Sequence, residues 1–179
     1  MLSPHEMRIN MPPAYFRVSM PNELSPVEIR ILEQIQKDAS LSTSDLADRV
    51  GLSQSPCWRR LQRLKDEGYI KGEVAIIDRS KLGPTTLIFA TLKMSTLSNE
   101  KRAEFIRKIE NVPEILECHT LFGERDVMIK VLAPSLEWYQ KFIFDSLQKL
   151  PGVLDVQSAV TLTELKDTTA LPLRGFLGR

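Results

Sequence analysis

The chain has 179 residues, 42% of them hydrophobic and 26% charged, with a formal net charge of +1. Those proportions describe a soluble globular protein of one domain or two small ones, and the near-zero balance excludes binding to polyanions through bulk charge. No apolar run approaches the ~20 residues of a membrane span, and no basic-flanked apolar core opens the chain, so a cytoplasmic protein without membrane contact is expected.

Cysteine and histidine usage is sparse. Cys57 and Cys118 read as small buried hydrophobes in a reduced compartment. With only His5 and His119 beside them, soft ligands at metal-site spacing are too few, so neither a metal nor a cofactor is expected.

Residues 1–21 hold four of the eleven prolines and no periodicity, which predicts a flexible tail with Met7, Met11 or Met20 as alternative starts. Order is predicted to begin at Ser25-Pro26-Val27-Glu28, a Ser cap with Pro at the first helical position and Glu at the third. Val27, Ile31, Leu32 and Ile35 form the inner face of that helix. Ser42 then caps a second helix, Asp45 standing in for the usual Glu of a capping box, with Leu46, Ala47 and Val50 inside. Gly51 suits a left-handed helix end, Leu52 plugs the corner, and Ser53 caps a third helix whose first turn tolerates Pro56.

That third helix separates its chemistry by face. Cys57, Leu61 and Leu64 share one stripe at 100° per residue. Arg59 points away from it, flanked by Ser55, Gln62 and Arg63, with Trp58 on the shoulder. Between Ser53 and Lys65 stand four cations and no acid, although residues 22–74 as a whole are balanced at 8 basic and 9 acidic. Helix, Gly-containing turn and a helix with a cationic, hydrogen-bonding front is the pattern that enters the DNA major groove. The predicted DNA-contacting residues are Ser53, Gln54, Ser55, Trp58, Arg59, Gln62 and Arg63. Beyond it, Tyr69-Ile70 return to the core, Lys71-Gly72-Glu73 suit a hairpin tip, and Val74–Ile77 suit a small wing strand.

The periodicity changes after Gly83-Pro84. Strands are predicted at 85–94, 115–122, 127–132 and 153–165, and helices at 100–109 and from Ser135 to Leu150. The order βαββαβ is that of the ferredoxin-like split βαβ, one sheet with both helices on one face. The fold class is therefore α+β: a winged helix-turn-helix domain at 22–77, a hinge at 78–84, an ACT-like regulatory domain at 85–166 and a tail at 167–179. Alternation along 153–165 places apolar side chains on the bare sheet face, which asks for a second copy of the chain. Two recognition helices would also give a dimer enough base pairs to be specific.

Cys118-His119 cannot act as nucleophile and base, because adjacent strand residues face opposite ways. The turn Gly123-Glu124-Arg125-Asp126 can offer N–H donors to a carboxylate and Asp126 to an ammonium, which would suit a free amino acid; a solvated charged turn is the plainer reading. Ser158 and Thr161 would add hydroxyls if the last strand lies beside that turn. The chain is read as no enzyme.

Taken together, these motifs make the chain similar to the Lrp/AsnC family of feast/famine transcriptional regulators. The residues that resemble it are Ile31-Leu32, Gln36-Lys37-Asp38, Leu46-Ala47, Val50–Ser53, Pro56-Cys57, Arg59-Arg60-Leu61, Arg63-Leu64 and Gly68-Tyr69-Ile70. In the second half they are Glu117-Cys118-His119, Gly123–Asp126 and Leu150–Val153. The resemblance implies double-stranded DNA as partner, dimers through the sheets assembling into octamers, and an amino-acid effector bound between subunits near the turn. The site residues it implies are Gly123, Glu124, Arg125 and Asp126. The family's aromatic within that turn is replaced by Arg125. The ending Thr168–Pro172 is similar to a subgroup that senses cysteine. Two other functions are compatible with the residues: an amino-acid-sensing module acting through protein partners, and a small enzyme using the carboxylate turn.

Overall fold

The computed structural model describes residues 24–177, with side chains through Gly175. The expected tail at 1–21 and its alternative starts lie outside the described residues. The described residues divide into two compact units, one made of those up to Val74 together with those from Thr168, the other of Ala75–Asp167.

In the first unit, α1 is Pro26–Ile35, α2 Thr43–Val50 and α3 Gln54–Asp66. Ser25 forms a complete capping box with Glu28: its hydroxyl accepts from the Glu28 N–H, and the Glu28 carboxylate accepts from the Ser25 N–H at 2.9 Å. At α2 the box is incomplete. Asp45 is one methylene shorter than Glu, so its carboxylate takes the Ser42 hydroxyl at 2.6 Å rather than the Ser42 N–H. Gly51 ends α2 at φ 73°, a left-handed conformation that a β-carbon would strain. Ile31, Leu46, Val50, Cys57 and Leu64 close the core of the unit, with Leu52, Tyr69 and Ile70 packed against it.

One buried charge crosses this core. Glu28 is only 2% exposed, and its second oxygen lies 2.6 Å from Arg63 and 3.5 Å from Arg60. The Arg63 approach is an ion pair rather than an aligned hydrogen bond. Burial pushes the Glu28 carboxyl up, but the Ser25 hydroxyl and N–H bonds and then the Arg63 and Arg60 charges outweigh it, holding the group below its ordinary value of about 4.5.

Residues 71–78 form no strand, in contrast to the expected wing strand at Val74–Ile77. No neighbouring strand offers a ladder to this stretch, and a lone hairpin arm is marginal in water. Val74 and Ile76 are accordingly left exposed.

The second unit contains β1 (Thr86–Met94), α4 (Asn99–Glu110), β2 (Ile115–Thr120), β3 (Val127–Ala133), α5 (Leu136–Asp145) and β4 (Val153–Val160). The sheet is antiparallel throughout in the order β2-β3-β1-β4, as a ferredoxin-like fold requires. Ile88, Ala90, Leu92, Val127, Ile129 and Val131 meet Phe105 and Ile109 of α4 and Tyr139 and Phe142 of α5 in one core, so both helices cover one face. The predicted fourth strand reaches five residues too far. Its last rung to β1 is the Thr161 N–H to the Leu87 carbonyl, and β1 supplies no residue beyond Thr86.

The bare face differs from expectation in composition. In β4 the apolar Val156 and Val160 oppose Leu92 and Ile88 and therefore share the helix-covered face, leaving Gln157 and Ala159 outside. The apolar surface of the bare face comes instead from Phe89 on β1 and from Met128 and Leu132 on β3, ringed by Lys93, Lys130, Glu117 and His119.

The Glu28 bridge generates a prediction. Glu28→Gln should lower the stability of the first unit by about 1–3 kcal/mol at neutral pH, because Arg63 loses its counter-charge. Since folding lowers the carboxyl's pKa, this stabilisation is present above about pH 4.5 and is lost as pH falls through the folded value. Urea unfolding read from Trp58, with Trp138 replaced by Phe, checks it; parallel pH curves for both proteins would exclude the linkage.

Candidate nucleic-acid interface and effector turn

The exposed front of α3 is built by what its N-terminus lacks. Ser53 has the extended backbone of an N-cap, yet its side chain makes no cap hydrogen bond, against the expectation from sequence. The third helical residue is Pro56, which has no N–H to donate. The Ser53 hydroxyl and the first-turn N–H groups of Gln54 and Ser55 are therefore not used by a cap. Gln54, Ser55, Trp58 and Thr43 line a shallow cleft of about 280 Å³, with Trp58 52% exposed. A helix start with unused donors and no acid in its first turn favours phosphate oxygens.

The four cations of α3 do not behave alike. Arg60 and Arg63 turn back to Glu28, and Lys65 pairs with Glu73 at 2.9 Å. Arg59 is exposed and has no ion pair among the described residues. The predicted DNA-reading set thus divides. Ser53, Gln54, Ser55, Trp58 and Arg59 form one exposed surface with half-buried Gln62 at its edge, while Arg63 is half-buried and committed to the core. Sequence reading missed that commitment because Glu28, 35 residues earlier, read only as a cap.

The turn between β2 and β3 is closed by the Leu121 N–H donating to the Asp126 carbonyl at 2.8 Å. Asp126 is largely spent within its own chain: its carboxylate accepts from the Met94 N–H at 2.8 Å and lies 3.3 Å from Lys93 Nζ. Lys93 also donates to the Glu124 carbonyl at 2.8 Å. Arg125 pairs not with Asp126 but with Asp155 of β4 at 2.6 Å, and that hydrogen bond with the guanidinium charge holds the Asp155 carboxyl below its ordinary range.

What the turn leaves open is its crest. The N–H groups of Gly123, Glu124 and Arg125 make no hydrogen bond among the described residues, the Glu124 side chain is exposed, and Phe122 is 99% exposed. A β-carbon at Gly123 would meet nothing within 4 Å, and its φ lies outside the left-handed region. The fold of one chain thus places no demand for glycine there, and the space above the crest is free.

Ser158 and Thr161 stand away from this turn, because β4 lies beside β1 and not beside β3. Ser158 pairs with Tyr139 of α5 at 2.7 Å, under the helices. Thr161 sits opposite Leu87, and from Lys93 to Leu87 strand β1 climbs roughly 20 Å. The residues that reach the turn are Lys93 and Asp155, distant in sequence and adjacent only across the ladder. Cys118 and His119 oppose Ile129 and Met128, on opposite faces as the alternation required, and the His119 ring pairs with Glu117 at 3.1 Å.

Among the described residues no group of three or more metal-ligating side chains occurs, and no helix is long and apolar enough to cross a membrane. Residues 24–71 match the family described as winged helix-turn-helix DNA-binding, and residues 87–171 that described as the Lrp/AsnC ligand binding domain. The transcriptional regulator AzlB of Bacillus subtilis is 35% identical over 150 residues, 84% of this chain and 96% of its own. The leucine-responsive regulatory protein of Escherichia coli is 31% identical over 152 residues, 85% and 93% of the two chains. The structure of the Neisseria meningitidis transcriptional regulator NMB0573, an L-Met complex, superposes with a TM-score of 0.81 at 32% identity, over 86% of this chain and 99% of that one. A cation-tipped α3 on a helix-turn-helix, a split βαβ sheet and relatives of full length agree: the chain is a DNA-binding transcriptional regulator of the Lrp/AsnC family.

Proposed function

We propose that the chain reads a specific duplex sequence as a dimer, and that an amino acid bound at the crest of the 121–126 turn adjusts that binding. The observation that carries the DNA part is the division of the α3 cations, which leaves Arg59 as the one without an ion pair among the described residues, beside the unused first-turn donors. Arginine can bond guanine O6 and N7 together, while helix-start donors fix the phosphates. Support for the effector is the crest itself: three N–H groups that suit a carboxylate, open space over Gly123, and a relative solved with L-Met. Support for the dimer is the uncovered patch of Phe89, Met128 and Leu132. The resemblance to the family extends this to octamers. Relatives that are transcriptional regulators speak for DNA over a purely protein partner, and for no catalytic role.

Arg59→Ala should cost about 1–3 kcal/mol of operator affinity with the fold intact. Arg63→Ala should instead lower the unfolding midpoint, since it strips Glu28 of its nearest counter-charge. Gel-shift titration and thermal melting of both variants separate the roles; equal affinity for Arg59→Ala and wild type would remove Arg59 from the interface.

The smallest stable unit should be a dimer, read by sedimentation at micromolar concentration. A monomer there would remove the case for a two-fold operator.

Thermal-shift screening against the twenty amino acids should find one that raises the melting temperature. For that ligand, Gly123→Ala should weaken binding about tenfold in calorimetry while leaving the unliganded protein's melting unchanged, because the added methyl meets only the ligand's space. Asp126→Ala should weaken both binding and folding, as it also frees the Met94 N–H. Full ligand affinity in both variants would place the effector elsewhere.

A further inference from the structure

The C-terminal segment is bound to α1 by three kinds of contact at once. Gln36, at the end of α1, uses both ends of its amide on one residue: it accepts from the Leu171 N–H at 2.6 Å and donates to the Leu171 carbonyl at 3.3 Å. The side chain of Leu173 packs against the core of the three helices. Arg174 then grips Glu33 with two parallel bonds, Nε to one oxygen at 2.7 Å and a terminal nitrogen to the other at 2.9 Å. The Glu33 carboxyl is lowered by that hydrogen bond first of all. Backbone, apolar and charged recognition over four residues is how a groove selects a peptide, and a tail resting by chance shows no such combination.

The stretch before it is different. Residues 162–170 are exposed throughout and contain no helix or strand, with Leu162 96% and Leu165 93% exposed. This irregular stretch is tied to the second unit only near its start, where Glu164 pairs with Arg79, and it then ends at a specific dock. The polypeptide passes between its two units twice, once at 74–75 and again at 167–168. The second passage joins β4, whose Asp155 holds Arg125 of the turn, to α1, whose Glu28 holds Arg60 and Arg63 of α3.

We propose that the Glu33–Gln36 edge of α1 is a docking site for the chain's own residues 171–175, and that this dock is a releasable second link through which the regulatory sheet acts on the DNA-reading helices. Its coupling to DNA rests on the DNA-reading function proposed above; the docking does not. The charged part of the dock is exposed, Arg174 by 75%, so each contact is individually weak and release lies within reach of a modest bias. A tightly buried plug would only add stability; a weak, composite one can switch.

The test uses the full chain as wild type, Leu173→Asp, Glu33→Arg, Arg174→Glu and the double variant with both charges exchanged. Hydrogen exchange of residues 171–177 and of the last turn of α1 should accelerate tenfold or more in Leu173→Asp and about threefold in each single reversal, and return toward wild type in the exchanged pair. Gel shift on duplex DNA at fixed salt should change at least threefold wherever the dock opens, with α3 exchange as in wild type. Unaltered exchange at 171–177 in every single variant would overturn the dock, as would failure of the exchanged pair to recover. An open dock with wild-type DNA affinity would overturn the coupling. If wild type itself fails to bind duplex DNA, the DNA reading falls with the coupling, while the exchange measurements still decide the dock.

Discussion

The first unit depends on a carboxylate that joins two of its helices, α1 and α3. Glu28 finishes the N-terminal cap of α1 and neutralises two arginines of α3, at a position where only 2% of the residue meets solvent. A charge in that setting is tolerated because four partner groups, the Ser25 N–H, the Ser25 hydroxyl and two guanidiniums, form one network around it. Its consequence for function is subtraction. With Arg60 and Arg63 directed inward, the outward charge of α3 narrows to Arg59 and Lys65, and Lys65 is answered by Glu73. Among the described residues α3 thus keeps one unanswered cation, Arg59, in a chain whose net charge of +1 offers no bulk attraction.

The regulatory unit obeys a related economy. Its turn is fixed from outside by Lys93 and Asp155, one from each of the two strands beyond β3 in the sheet. Those two side chains hold the turn through the Glu124 carbonyl, the Arg125 guanidinium and the Asp126 carboxylate, while the crest N–H groups make no hydrogen bond among the described residues. The cation at Arg125, which stands where the family has an aromatic, is paired with Asp155.

The same chain also ties β4 to α1 from its far end. Residues 161–170 span the interval without regular structure, held by Glu164 on Arg79, and contacts with α1 begin at Leu171. The chain passes between its two units at 74–75 and again at 167–168, and only the second passage leads on to non-covalent contacts with α1.

Local chemistry was enough for the elements and their order. Caps, apolar periods and Gly51 define three helices and a left-handed corner within a few residues of where they stand, since each signal acts over one or two helical turns. The βαββαβ order and its single-face helix cover followed from the same periods, as did the opposite faces of Cys118 and His119. What the tertiary structure alone decided was which polar groups are already spent. Arg63 is answered by Glu28, Arg125 by Asp155, Asp126 by the Met94 backbone, and Ser158 by Tyr139. The wing strand and the end of β4 depended likewise on whether a neighbouring strand was present. A side chain's type is written locally, but its partner comes from another element, 19 to 35 residues away in these cases. Short-range patterns therefore fixed where the helices and strands lie, and long-range pairing settled which of their charges remain free to meet DNA or a ligand.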